Sequence, residues 1–305
     1  MQMLEDVMPK NKEEILKNYS PLRYPGGKGK LYPFVASVIK NAGEERRIYI
    51  EPFAGGAGVA LSLLFNNDVD EIVINDYDKA IYSMWKAILT QTNRFLELLN
   101  NIEITIEEWH RQKDIYTNQN NKYSLELGFA TFFLNRVNRS GILSAGPIGG
   151  FKQIGNYKID VRYNKDDLSK RIRKIAKYKN RIHVYNHDVR SFIASYLPKY
   201  MDHAFVYFDP PYYNKGKQLY KNFFTEKDHQ QIFDLINQLP CPWMVTYDNS
   251  EEVKRIYDNY TCWYFDLVYG VANGGKTSEV LFISDDNLLP SISDKSSIKF
   301  NFRKD

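Results

Sequence analysis

A short apolar strand, Arg47-Ile-Tyr-Ile-Glu51, runs directly into Pro52-Phe-Ala-Gly-Gly-Ala-Gly58 and then into a mostly apolar stretch ending at Asn66. This pattern predicts a strand over 47–51, a glycine loop at 54–58 and a helix from Gly58 to Asn66. Glycines at that junction let the backbone turn tightly and approach a ligand, at the carboxyl edge where open α/β sheets bind them. The spacing is not GxGxxG, which argues against a dinucleotide site.

The rest of the chain repeats the alternation. Strands are expected at Glu71–Asn75, Ile182–Tyr185, Ala204–Phe208, Trp243–Thr246, Cys262–Tyr269 and Glu279–Ser284. Helical periodicity runs from Lys79 to Asn101, over 102–135, from Leu168 to Tyr178 and from Glu226 to Leu239. Strands alternating with helices give an α/β fold with a doubly wound, mainly parallel sheet. The last two strands are joined by a short loop with no helix, so one of them is expected to run antiparallel. The segment 80–179 is too long for an ordinary connection and reads as an inserted, mainly helical subdomain. The catalytic domain is then 20–79 with 180–286, and 287–305 is a polar tail.

Composition narrows the function classes. Hydrophobic residues make up 43% of the 305 residues, enough for a sizeable core. A formal charge of +4 permits nucleic-acid binding without requiring it, because clustering on one face is what matters. Cys241 and Cys262 lack metal-ligand spacing and read as reduced thiols, and no metal is called for. The polar segment from Met1 to Tyr19 has no apolar core of a signal peptide, and Gly58–Phe65 is too short to span a bilayer. A soluble, cytoplasmic protein, monomeric or weakly dimeric, is the expectation.

Val206-Tyr-Phe-Asp209-Pro210-Pro211-Tyr212 carries the chemistry. A buried strand ends at an acid, and two prolines fix the backbone angles immediately after it. An aromatic amine is a poor nucleophile because its lone pair is delocalised into the ring. The Asp209 carboxylate and the Pro210 carbonyl, each accepting one N–H bond, localise that lone pair and aim it at a methyl sulfonium; such rigid acceptors are electrostatic preorganisation. Tyr212 is placed to stack on the base. Gly270-Val-Ala-Asn-Gly-Gly-Lys276-Thr277 matches the phosphate-loop pattern, but the strand-like Ser278-Glu-Val-Leu-Phe-Ile-Ser that follows supplies no helix N-terminus for phosphate.

Together, Pro25-Gly-Gly-Lys28, the glycine motif Glu51–Gly58 and Asp209–Tyr212 resemble, in order, the motifs of the Dam-type (class alpha, D12) family of DNA adenine N6-methyltransferases. The resemblance runs from about Leu22 to Ile283. It implies a Rossmann-like methyltransferase fold and transfer of a methyl group from S-adenosylmethionine to a flipped-out adenine in double-stranded DNA. Asp209, Pro210, Pro211 and Tyr212 are then catalytic. By the same resemblance Tyr24, Gly26, Gly27, Lys28, Glu51, Pro52, Phe53, Gly55, Gly56 and Asp209 border the cofactor, with Asp76 on its ribose and Asp188 near its adenine. The middle segment reads the target, through Asn135, Arg136, Asn138, Arg139 and Ser140. Arg and Asn can read guanine and adenine bidentately, although Asn135 and Arg136 equally suit bracing of the subdomain. A cognate restriction endonuclease is a partner that such an enzyme can have. An RNA adenine methyltransferase and a DNA-binding relative without catalysis are the alternatives, separated by methyl transfer to duplex DNA against RNA and by cofactor binding.

Overall fold

The computed structural model describes residues 18–23, 27–45, 47–120, 122–213, 224–268, 276–290 and 303–304, with backbone alone at 266–268, 276–277 and 303–304. Its strands are β1 (Ile48–Glu51), β2 (Glu71–Asn75), β3 (Ile182–Tyr185), β4 (Ala204–Phe208), β5 (Trp243–Asp248), β6 (Trp263–Val268), β7 (Lys276–Ile283) and β8 (Arg303–Lys304). They form one sheet in the order β3-β2-β1-β4-β5-β7-β6-β8. The five strands β1 to β5 are mutually parallel. Strand β7 slots between β5 and β6 and runs against both, which is the expected antiparallel strand. The two-residue β8 from the tail also pairs antiparallel, on β6. Lys276 opens β7 rather than a helix, as the strand-like alternation after it predicts; residues 270–275 of the phosphate-loop pattern lie outside the described residues.

The described helices are α1 (Tyr32–Asn41), α2 (Gly58–Phe65), α3 (Lys79–Thr90), α4 (Thr92–Asn101), α5 (Ile106–Thr117), α6 (Leu125–Val137), α7 (Lys165–Lys177), α8 (Val189–Ser195), α9 (Glu226–Ile236) and α10 (Glu251–Ile256). The stretch 79–101, expected to be largely helical, divides at Gln91, whose φ of −131° is not helical. The hydroxyls of Thr90 and Thr92 donate back to the carbonyls of Lys86 and Ile88, a local competition that favours breaks. Sequence periodicity did not signal α1, α8 or α10, which are short or begin next to loop residues.

Alternation along each strand divides the apolar side chains between two cores. One face carries Tyr49, Ile72, Ile74, Tyr207, Met244, Leu281 and Ile283, covered by α1 to α4, α6 and α7. The other carries Ile50, Val73, Val206, Phe208, Val245, Tyr247 and Phe282, covered by α8 to α10. The helices of 80–179 therefore share one continuous apolar cluster with the first face of the sheet. No helix among the described residues is long and apolar enough to cross a membrane.

Three strand ends are tied at one residue. Buried Asn75 donates through Nδ2 to the carbonyls of Pro52 (3.1 Å) and His187 (3.1 Å), and its Oδ1 accepts from His187 N (2.9 Å). The Asn75 carbonyl accepts from Ala54 N at 3.0 Å, which anchors the glycine loop to β2. Truncating this side chain leaves buried backbone groups without partners. Asn75→Ala is expected to cost about 1–3 kcal/mol in urea unfolding; a change within experimental error would show that the tie carries no weight.

Candidate active site

The carboxyl ends of the parallel strands meet on one edge, and the first-face parity brings their polar side chains together. Counting by two from Tyr49 gives Glu51, from Tyr207 gives Asp209, from Met244 gives Thr246, and from Leu281 gives Glu279.

The glycine loop after β1 is held from four sides. Its Gly55 has φ +45°, and its carbonyl accepts the indole N–H of Trp85 at 3.0 Å. The Gly56 carbonyl accepts the Ser20 hydroxyl at 2.6 Å. Gly55 N donates to Asp76 Oδ2 at 2.9 Å, while Asp76 Oδ1 accepts Asp78 N at 2.9 Å. A Cβ on Gly58 would stand 3.3 Å from Gly29 Cα, so the N-terminal segment lies directly on the start of α2. Pro52 and Gly56 are buried in this loop, and Phe53 packs edge-on to Phe224 at 5.9 Å.

Two carboxylates beside this loop are held reluctant to ionise. Burial pushes Glu51 up to about 8, against the pull of its bonds from the Tyr49 hydroxyl and Ala60 N. Burial, then the neighbouring charge of Asp78, pushes Asp76 up to about 7.

The second corner lies at the end of β4. Lys28 Nζ donates to Asp209 Oδ1 at 2.8 Å and Oδ2 at 3.1 Å, and to the Tyr212 hydroxyl oxygen at 3.2 Å. Thr246 Oγ1 donates to Asp209 Oδ1 at 3.0 Å, and it meets the Tyr207 hydroxyl at 2.8 Å. The Tyr212 hydroxyl donates to Glu279 Oε1 at 2.7 Å, and Glu279 Oε2 lies 3.3 Å from Lys28 Nζ. The Lys28 and Glu279 side chains are 4% and 2% exposed, whereas Asp209 keeps 25% of its side chain open, so Asp209 is the member that faces the cleft. Burial raises the Asp209 carboxyl above the usual carboxylate range; Lys28 opposes that rise and Glu279 adds to it. Beyond Tyr212, the Tyr213 N–H donates to Asp248 Oδ1 at 2.8 Å, fixing the course of the chain after the prolines.

Of the residues expected at the cofactor, Lys28, Glu51, Pro52, Phe53, Gly55, Gly56, Asp76 and Asp209 line these two corners. Gly27 is exposed at the start of the Lys28 turn. Tyr24 and Gly26, with Pro25, lie outside the described residues. Asp188 stands after β3, where it caps α8 and is gripped by Arg190 Nε and Nη2, both at 2.9 Å. That grip holds its carboxyl below the usual range. Arg190 also reaches Asp228 at 2.8 Å and Gln231 at 3.0 Å.

The residues expected to read DNA divide into two groups. Asn135 and Asn138 are buried. Asn135 Oδ1 accepts Arg23 N at 2.7 Å, and its Nδ2 donates to the carbonyls of Arg23 (3.0 Å) and Gly141 (2.9 Å). Asn138 accepts the Trp109 indole N–H at 2.7 Å and donates to the carbonyls of Ile142 and Leu143. Arg136 donates to the Arg162 carbonyl at 2.9 Å, and burial draws its guanidinium down to about 10. For Asn135, Arg136 and Asn138, bracing is the arrangement observed. Arg139 and Ser140 are exposed, and they open a loop that also exposes Phe151 (57%), Ile154 (82%), Tyr157 (68%) and Val161 (43%). Sequence reasoning passed over those apolar residues, although Phe151, Ile154, Tyr157 and Val161 interspersed with Lys, Asn, Asp and Gly are a signal. It also passed over Glu279, a lone acid in the apolar run Val280-Leu-Phe-Ile283.

A family model for D12 class N6 adenine-specific DNA methyltransferases matches residues 24–270. The chain is similar to the Type II methyltransferase M.MjaIII of Methanocaldococcus jannaschii, 24% identical over 223 residues, 68% of this chain and 73% of that protein. Modification methylase LlaI of Lactococcus lactis subsp. lactis is 23% identical over 243 residues, 74% of this chain but 36% of that protein. Type II methyltransferase M1.LlaDCHI of Lactococcus lactis subsp. cremoris is 22% identical over 272 residues, 84% of this chain and 89% of that protein. Among solved structures, the rRNA methyltransferase aviRa from Streptomyces viridochromogenes overlays with a TM-score of 0.39 at 12% identity, covering 92% of this chain and 96% of that one.

The raised Glu51 carboxyl has a measurable consequence. Its stabilising neutral form is fully present below pH 4.5, the unperturbed value, and is lost as pH rises through about 8. Glu51→Gln keeps the acceptor without the charge. It is expected to melt at least ~3 °C above the parent at pH 8.5, the shift that about 1 kcal/mol gives in a chain of this size. The gap should close towards pH 4.5, and equal melting curves across that window would contradict it.

Proposed function

This chain belongs to the D12 class N6 adenine-specific DNA methyltransferase family, and from that premise we propose that it takes its methyl group from S-adenosylmethionine and acts on an adenine flipped out of the duplex. It is a DNA adenine methyltransferase. The observation that carries the finer reading is the Asp209-Pro210-Pro211-Tyr212 corner beside the glycine loop.

The residues at the edge suit that cofactor. Close backbone approach at the glycine loop and a carboxylate at Asp76 for ribose hydroxyls match its polar groups. Carboxylates at Glu51, Asp76 and Asp209 whose ionisation burial opposes favour a ligand with positive charge. When bound, S-adenosylmethionine supplies an electrophilic methyl on a cationic sulfur.

The chain's own groups then act on the base. Asp209, pinned by Thr246 and Lys28, accepts one N–H of the target amine, and the Pro210 carbonyl accepts the other. Those bonds localise the nitrogen lone pair and stabilise the positive charge that develops on it. The raised pKa of Asp209 makes its carboxylate a better acceptor for the proton the nitrogen then sheds. Tyr212 supplies a stacking face for a base removed from its duplex neighbours.

For the DNA itself, the exposed loop 139–162 is the surface this reading assigns. Its aromatic and aliphatic side chains alternate with Arg139, Lys152, Lys158 and Arg162, all exposed, a mixture suited to phosphates and unstacked bases. The basic run after it contributes less than its composition implies. Arg171 pairs with Asp167, Lys174 lies over the rings of Tyr19 and Phe65, and Arg181 is bonded to the Val69 and Asp70 carbonyls. The names of the relatives, type II methyltransferase and modification methylase, favour a modification role alongside a cognate restriction endonuclease, in the cytoplasm.

Two measurements test this. Asp209→Ala should lower tritium transfer from labelled S-adenosylmethionine to duplex DNA by at least about 10²-fold, with cofactor binding still seen by calorimetry; near-parental turnover would overturn the assignment. Replacing Phe151, Ile154 and Tyr157 together by Ser should raise KM for duplex DNA about tenfold and leave cofactor affinity unchanged. An unaltered KM would remove the loop from the DNA interface.

A further inference from the structure

Glu279 is buried on β7, the strand that runs against its neighbours, directly opposite Asp248 of β5 in register. Each of its oxygens touches a different member of the methyl-transfer corner: Oε1 accepts the Tyr212 hydroxyl at 2.7 Å, and Oε2 lies 3.3 Å from Lys28 Nζ. Resting on the catalytic reading of Asp209 and Tyr212, we propose that Glu279 is a positioning residue for the transfer, one that fixes the Tyr212 ring and divides the charge of Lys28 between itself and Asp209.

The chemistry of the cluster supports two separate effects. A tyrosine ring held only by packing can tilt about its side-chain torsions, and the 2.7 Å bond to a buried carboxylate removes that freedom. Lys28 Nζ donates hydrogen bonds to Asp209 and to the Tyr212 oxygen, and its charge is shared with Glu279 through the 3.3 Å ion pair. With Glu279 neutral or absent, the whole positive charge falls on Asp209, whose lone pairs are needed by the incoming amine.

Glu279→Gln keeps the shape and the acceptor for Tyr212 but removes the negative charge beside Lys28. In the full-length enzyme its single-turnover methylation rate on duplex DNA is expected to fall roughly 10–100-fold, the scale of a small misplacement at a reacting centre. KM for DNA and the calorimetric Kd for S-adenosylmethionine should stay within about threefold, because ground-state contacts are retained. Tyr212→Phe should also slow the step. The double variant should be slower than the worse single one by no more than about twofold, since both act through one cluster. A parental rate in Glu279→Gln, or losses that multiply in the double variant, would overturn the proposal. If Glu279→Gln fails to fold by circular dichroism, Tyr212→Phe decides alone, a parental rate there overturning it. Asp209→Ala in parallel separates the two readings: its inactivity with a parental Glu279→Gln rejects the positioning role only, whereas its normal turnover rejects the catalytic reading beneath it.

Discussion

The ammonium of Lys28 sits where the N-terminal segment crosses the sheet edge, and three elements far apart in sequence are oriented by it: its own turn, the end of β4 through Asp209, and the antiparallel β7 through Glu279. A buried cation between a buried carboxylate and a half-buried one is stable only while every member is present, because removing a buried partner leaves a desolvated charge at a cost of ~3–5 kcal/mol. The arrangement therefore specifies geometry more than it adds stability. It also requires the segment around Lys28 to be held from outside. Asn135 does so on one side, clasping the backbone of Arg23 on both its N–H and its carbonyl, and Ser20 does so on the other through Gly56. The helical segment 80–179 thus supports the Asp209 corner as well as carrying the exposed loop.

Much of this was legible in the sequence because it is written in local patterns. Apolar runs separated by helical periodicity located β1 to β6 within a residue or two, β7 began three residues before the expected Glu279 and β8 carried no such run, and the missing helix before Glu279 announced the antiparallel strand. The glycine loop and the Asp-Pro-Pro-Tyr corner were legible for the same reason: backbone chemistry at a strand end is set by the residues standing there. Gln91 was not, because a break produced by threonine hydroxyls returning to the previous turn leaves the apolar spacing of the flanking helices intact.

What stayed hidden depends on partners distant in the chain. Asn135 finds Arg23 across 112 positions, and nothing near Leu134-Asn135-Arg136 tells a bracing asparagine from one that reads a base. The same holds for Asp188, whose carboxyl is occupied by the neighbouring Arg190 and whose setting is completed by Asp228 from α9. Glu279 is the sharpest case. In a strand buried on both faces alternation no longer separates inside from outside, so an acid there signals only that some partner must exist.

Those hidden partners explain why one edge of an ordinary α/β sheet has acquired a distinct electrostatic character. Glu51, Asp76 and Asp209 are each pushed by burial towards the protonated form, while Lys28 is the cation the structure sets among the last of them. A sheet edge with this composition is underneutralised: each carboxylate can be ionised cheaply only if positive charge arrives. On the proposed reading, a cationic methyl donor meets that requirement as it binds, and the amine that gains positive charge during transfer meets it again at Asp209. On that reading the preference for such chemistry lies less in any single acid than in having several, at one sheet edge, whose ionisation burial opposes.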